Sequence, residues 1–133
     1  MLLSREEIVQ IMERFKKQNP SPKSELDYTN AFTKFNEVIS KEKDNAYAYY
    51  YRALMYDEQK NAKSAIADYL NVLKYTKELP IANYMIAIDY DGMENYKEAF
   101  NYYKKFIAEY TTEDEYLKYA KDRMKELEPF VKG

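Results

Sequence analysis

Tyr49-Tyr50-Tyr51-Arg52-Ala53-Leu54-Met55-Tyr56 and, after a polar break, Ala65-Ile66-Ala67-Asp68-Tyr69 carry the pattern that organises this chain. Each run keeps small and aromatic residues at helical spacing, and Lys60-Asn61 separates them. The alanine of the second run recurs: Ala31, Ala65 and Ala99 stand 34 residues apart. Phe35, Tyr69 and Tyr103 follow each alanine by four positions. Val38, Val72 and Phe106 follow by seven, and Ile39, Leu73 and Ile107 by eight. The preceding half-unit repeats in the last two copies. Ala53 aligns with Ala87, Tyr56 with Tyr90, and Lys60-Asn61 with Glu94-Asn95. Four columns at one period predict two helices per unit with a tight turn between them. Asparagine suits that turn, because it tolerates left-handed backbone and caps helices. Asn95 with Glu98 reads as a capping-box variant.

This pattern resembles the tetratricopeptide repeat family. The period of 34, a small residue then a tyrosine in the first helix, and alanine then an aromatic in the second are its signature. Residues 46–110 match it well, and residues 24–43 match the second helix of a unit only. The departures are local. The tryptophan-like position holds Tyr49 in one copy and Asn83 in the next. Lys60 and Glu94 stand where the family has its turn glycine, and the proline that ends a unit is missing. The resemblance implies an all-α fold, a short right-handed superhelix of antiparallel helix hairpins with about seven helices and a C-terminal capping helix. The expected layout is a single domain over 1–133. It divides into an irregular N-terminal hairpin (1–44), one repeat (45–78), a second repeat (79–111) and the cap (112–133).

The ends are read from their own signals. Ser4 and Glu7 open a helix that keeps Ile8, Ile11, Met12 and Phe15 on one face, and Asn19-Pro20-Ser21-Pro22 breaks it. A second helix runs from Ser24 to about Lys41, with Leu26, Phe32, Phe35 and Val38 or Ile39 inward. Thr112 opens the last helix, Tyr116, Ala120, Met124 and Leu127 cover the last repeat, and Pro129 ends it.

Composition narrows the task. The 133 residues contain no cysteine and no histidine, so thiolate chemistry, the usual general base and the commonest zinc ligand are all missing. Two glycines leave no phosphate-cradling loop. Twenty-one basic and 23 acidic side chains give a net charge of −2, which argues against nucleic acid. No apolar run is long enough to span a membrane or to form a signal peptide. The expected location is cytoplasmic, or periplasmic or secreted where a leader has been removed. Asp57-Glu58 and Asp89-Tyr90-Asp91 are the closest acidic pairs, and helical neighbours point apart. Asp89-Tyr90-Asp91-Gly92 lacks the glycine position and the closing glutamate of a calcium loop. No enzyme activity, cofactor or metal is expected.

What remains is a second apolar stripe. The helix from Ala46 uses Tyr49, Ala53 and Tyr56 for its core. At about 100° per residue, Tyr47, Tyr50, Tyr51 and Leu54 gather roughly 140–150° away. The next first-helix repeats this. Ala82, Ile86, Ala87 and Tyr90 serve the core, and Ile81, Tyr84, Met85 and Ile88 fill the other face. A surface helix needs one apolar stripe, not two. In the family these positions line a concave groove. The resemblance therefore implies peptide binding by Tyr47, Tyr50, Tyr51, Leu54, Tyr84, Met85 and Ile88. None of them is cationic or an amide, so the family's carboxylate clamp for chaperone tails is not expected. The expected partner is a protein or peptide with apolar or aromatic anchors. The alternatives are a homodimer or larger self-assembly through the same surface, or a stripe covered by the chain's own helices. Arg52 is expected to pair with Asp68 on the second helix of its own unit.

Overall fold

The computed structural model describes residues 25–132, with side chains from Thr29 onward. Among them are six helices and no strand. These are α1 (Glu25–Lys41), α2 (Ala46–Glu58), α3 (Ala62–Tyr75), α4 (Ile81–Gly92), α5 (Tyr96–Glu109) and α6 (Glu115–Val131). The helix expected from Ser4, the seventh of the expected count, lies outside the described residues, as does the side chain of Leu26. None of the six helices is long and apolar enough to cross a membrane.

Each helix packs against the next in sequence. Ring contacts fix the direction. Phe35 meets Tyr51 and Phe32 meets Tyr56, so α1 and α2 run antiparallel. Tyr49 stacks on Tyr75 at one end of the α2–α3 pair, while Asp57 meets Tyr69 near the turn. Tyr84 meets Phe106 across α4–α5, and Tyr96 meets Phe130 across α5–α6. The result is a zigzag of adjacent antiparallel helices.

The repeated columns fill the core. Ala31, Phe35 and Val38 of α1 bury with Ala48 and Met55 of α2. Ala53, Ala65, Tyr69 and Val72 form a central cluster with Ala82 and Ile86 of α4. Ala87, Ala99, Tyr103 and Phe106 form a third with Leu117, Ala120 and Leu127 of α6. Alanine at 53 and 87 lets the paired helices approach closely enough for a tyrosine to be fully buried between them. In α6 the residue 34 positions after Ala87 is Lys121, and it is exposed.

The two turns repeat bond for bond. Lys60 N–H donates to Asp57 O and Asn61 N–H to Tyr56 O. Glu94 N–H and Asn95 N–H make the same bonds to Asp91 O and Tyr90 O. This is the Schellman end of a helix, whose penultimate residue must be left-handed. Lys60 and Glu94 take that conformation, with φ of 62° and 61°. Of the two roles expected of the asparagines, left-handed backbone falls to the preceding residues, and Asn61 and Asn95 stand at the N-caps of the following helices. Asn61 caps α3 by accepting from Ser64 N–H. Asn95 makes no side-chain cap bond, so the expected capping box with Glu98 does not form.

The last helix departs from its expected bounds. Asp114, not Thr112, caps it, accepting from Leu117 N–H at 3.1 Å. Leu117 takes the inward place expected for Tyr116, which is 50% exposed. Leu117 stands 34 residues after the buried Asn83, and Ala120 34 after the buried Ile86. The helix also continues through Pro129 to Val131. Proline deletes one donor in the final turn, and Phe130 beyond it still meets Tyr96 (4.7 Å between centroids).

Candidate functional site

The seven residues of the second stripe divide among three settings. Tyr47 and Tyr51 are partly buried against the α1–α2 cluster. The Tyr51 ring stacks on Phe35 at 6.2 Å, and Tyr47 Oη donates to Glu78 Oε2 at 2.9 Å. Tyr84 and Ile88 pack into the third cluster. Tyr84 is ringed by Phe106, Tyr116, Tyr103 and Tyr119, at 5.2–6.2 Å between centroids. Burial raises the pKa of its hydroxyl, with the nearby Tyr119 next in effect. Neighbouring helices thus reach both ends of the stripe: α1 covers one and α6 the other.

Tyr50, Leu54 and Met85 come together. They line a cleft of about 560 Å³ with Leu79, Ile81 and Tyr116. The floor is supplied by α2, α4 and α6 together with the loop before α4. Tyr50 is held edge-on to Tyr51 and tilted against Tyr69, at 5.5 and 6.0 Å. Burial first, then the neighbouring Tyr51, pushes its hydroxyl up to about 12, so it is neutral at physiological pH. The rim carries Glu78 and Glu109, and Tyr110, Thr111 and Thr112 complete it. Tyr110 donates a short hydrogen bond to Asp114, the cap of α6, which ties the rim to that helix.

The signal for Ile81 was already present in the α4 stripe. The spacing of Tyr116 to Ala120 fits one helix face. Leu117, one residue on, fits the same face, and the apolar character of both residues hid the difference.

Charged groups behind the cleft are organised by the same repeat. Tyr69 Oη donates to Asp57 Oδ2 at 2.6 Å, and Tyr103 Oη donates to Asp91 Oδ2 at 3.1 Å, both pairs twelve residues apart. The next element then brings a side chain to each acid. Arg123 grips Asp91 with Nε and Nη2, at 2.7 and 2.8 Å. That bond first, and the charge of Arg123 after it, hold the Asp91 carboxyl below its usual range against the effect of burial. The residue 34 positions before Arg123 is Asp89, and it meets Asp57. Burial first, then its hydrogen bond and repulsion with Asp57, push the Asp89 carboxyl up to about 8. Its Oδ2 is buried, and no donor among the described residues reaches it. Spacing along one helix carries no trace of this pair, because the two acids lie on separate helices and meet through the fold.

Arg52 pairs with Asp68 as expected, through Nε and Nη2 at 2.7 Å each. It also donates Nη1 to Asn36 Oδ1 at 2.8 Å, so one guanidinium ties α1, α2 and α3 together. Among the described residues no group of three or more acids is placed to hold a metal ion. Comparison with family models, with curated proteins and with solved structures returns no match to this chain.

Proposed function

We propose that this chain is a non-catalytic protein-binding module, a tetratricopeptide-like array whose ligand is a peptide or helix with apolar anchors. The observation that carries this reading is the cleft of Tyr50, Leu54, Ile81, Met85 and Tyr116, with side chains from three helices turned to one open space. Tyrosine and methionine suit such a surface. Tyrosine offers large area at low rotamer entropy, and methionine adapts to varied apolar shapes. The array assignment is supported by the 34-residue recurrence of the turn bonds and of the tyrosine–aspartate bonds. A right-handed superhelix is the arrangement this family likeness implies.

The test is a peptide-display selection on the purified protein and on Met85→Lys, with circular dichroism to establish that the variant folds. Enrichment of aliphatic or aromatic motifs on the natural protein, lost on Met85→Lys, is the expected result. Equal enrichment on both would place binding elsewhere and overturn the reading. Self-assembly is the second reading, favoured by the apolar surface of α6, where Phe130 is 64% and Tyr119 45% exposed. A solution mass twice that of the chain, lost on Phe130→Glu, would put it first.

A further inference from the structure

A second cleft, of about 360 Å³, opens beside the first, and Leu79, Pro80 and Glu109 border both. Its floor is Leu70 and Leu73 of α3 with Tyr102 of α5. Leu70 is 41% exposed, so the floor keeps open aliphatic surface. Three exposed lysines stand around it, Lys74, Lys77 and Lys105. They come from the end of α3, the loop after it and α5, so the fold rather than the local sequence gathers them. The Lys74 ammonium lies over the Tyr75 ring at 5.2 Å, and that of Lys105 over the Tyr102 ring at 4.4 Å. A ring face orients an ammonium and leaves its charge in place. Glu109 Oε2 accepts from the buried Asn83 amide at 3.5 Å, and among the described residues no lysine is ion-paired with it. Three cations beside one carboxylate make this cleft basic on a chain whose net charge is −2. Salt screens exposed charges beyond about 10 Å, so the local sign governs what approaches.

We propose that this second cleft docks an acidic segment of a partner protein, with one aliphatic or aromatic anchor on Leu70, Leu73 and Tyr102 and flanking carboxylates beside the three lysines. Such docking is separate from binding at the cleft of Tyr50 and Met85 and does not depend on it. The volume lies near the lower end of the range of ligand sites, which suits a single anchoring side chain. The apolar floor favours a peptide over a sugar–phosphate chain. It takes an aliphatic anchor out of water, and among the described residues no arginine lines the cleft to grip phosphate in a two-pronged way. Exposed ion pairs add little affinity each, but they discriminate between ligands and speed encounter at low salt.

A display library with a randomised apolar centre and fixed flanks of glutamate, serine or lysine tests this on the whole chain. At low ionic strength the glutamate-flanked pool should enrich about tenfold over the lysine-flanked pool, the scale that two exposed pairs provide. The ratio should narrow toward one at about 0.5 M salt. Lys74→Gln/Lys77→Gln/Lys105→Gln should lose the preference. Met85→Gln, which blunts the first cleft without adding charge, should keep it. Circular dichroism establishes that both variants fold. A glutamate preference that survives the lysine variant would overturn the site, as would no enrichment with any flank. Equal enrichment of all three flanks, lost on Met85→Gln, would overturn it and leave the reading of the first cleft standing. Two other occupants have their own signatures. A second copy, entering through its acidic Glu113-Asp114-Glu115, would give a low-salt dimer that the lysine variant lacks. A nucleic acid would show as a thymidine oligonucleotide that displaces the selected peptides and fails to bind the lysine variant. Either result would overturn the choice of a partner's acidic segment.

Discussion

Lys60 and Glu94 carry side chains into left-handed backbone that favours glycine. The conformation costs an L-residue about 1–2 kcal/mol, and glycine gives back about 0.5–1 of that through unfolded-chain entropy. Lys60→Gly and Glu94→Gly should each stabilise the protein by about 0.5–1 kcal/mol, read as a higher urea midpoint at unchanged slope. A lower midpoint at both sites would mean that side-chain contacts outweigh the backbone relief. Asp89 carries a different burden. Its folded pKa of about 8 lies above the unfolded value of about 3.9, so the folded state holds the proton more tightly. The stability this contributes is fully present below about pH 4 and is lost as pH rises through about 8. Asp89→Asn stays neutral throughout. It should flatten the fall in melting temperature between pH 5 and 9, and at pH 9 it should be more stable than the natural chain by about 1–2 kcal/mol, solvent screening having reduced the effect. Parallel melting curves across that range would refute the assignment.

At the level of helices, the two tight turns share their bonds and differ in their caps. Asn61 accepts Ser64 N–H, whereas the Asn95 side chain makes no cap bond at the start of α5. Asn61→Ala should cost about 1 kcal/mol by thermal or chemical unfolding, and Asn95→Ala no more than a few tenths. Equal losses would show that both asparagines act through backbone preference rather than capping. The helices themselves were legible in the sequence. Ala31, Ala65 and Ala99 with their aromatic partners gave all three second helices, because buried small-against-large packing leaves a periodic trace. The cleft was half legible. Tyr50, Leu54 and Met85 belong to it, but Tyr51 and Tyr84 bear the same apolar label and are taken up by α1 and α6. One-dimensional patterning reports that a face is apolar, not which neighbour claims it. The ends of α6 were the least legible, since Thr112 and Asp114 are both good caps and only the hydrogen bond to Leu117 separates them.

For the whole molecule, stacked units behave as a row in which each touches only its neighbours, so local couplings decide which parts open together. Arg52 binds α1, α2 and α3 into one group, and Arg123 fastens α6 to α4. Between those groups the corresponding polar contact is Asp57 with Asp89, two acids and no cation. Native-state hydrogen exchange, corrected for the intrinsic pH dependence, should give α1–α3 and α4–α6 similar opening energies near pH 6. Above pH 8 the two halves should separate, and in Asp89→Asn they should stay together. Halves that remain matched at high pH would show that the apolar contacts of Ala82 and Ile86 with α2 and α3 outweigh the acid pair. The acid pair lies where the two halves meet, beside the apolar cluster they share. The cleft spans the same junction, with Tyr50 and Leu54 on one half and Met85 and Tyr116 on the other. Alkaline loosening would therefore change the gap between its walls before it unfolds either one.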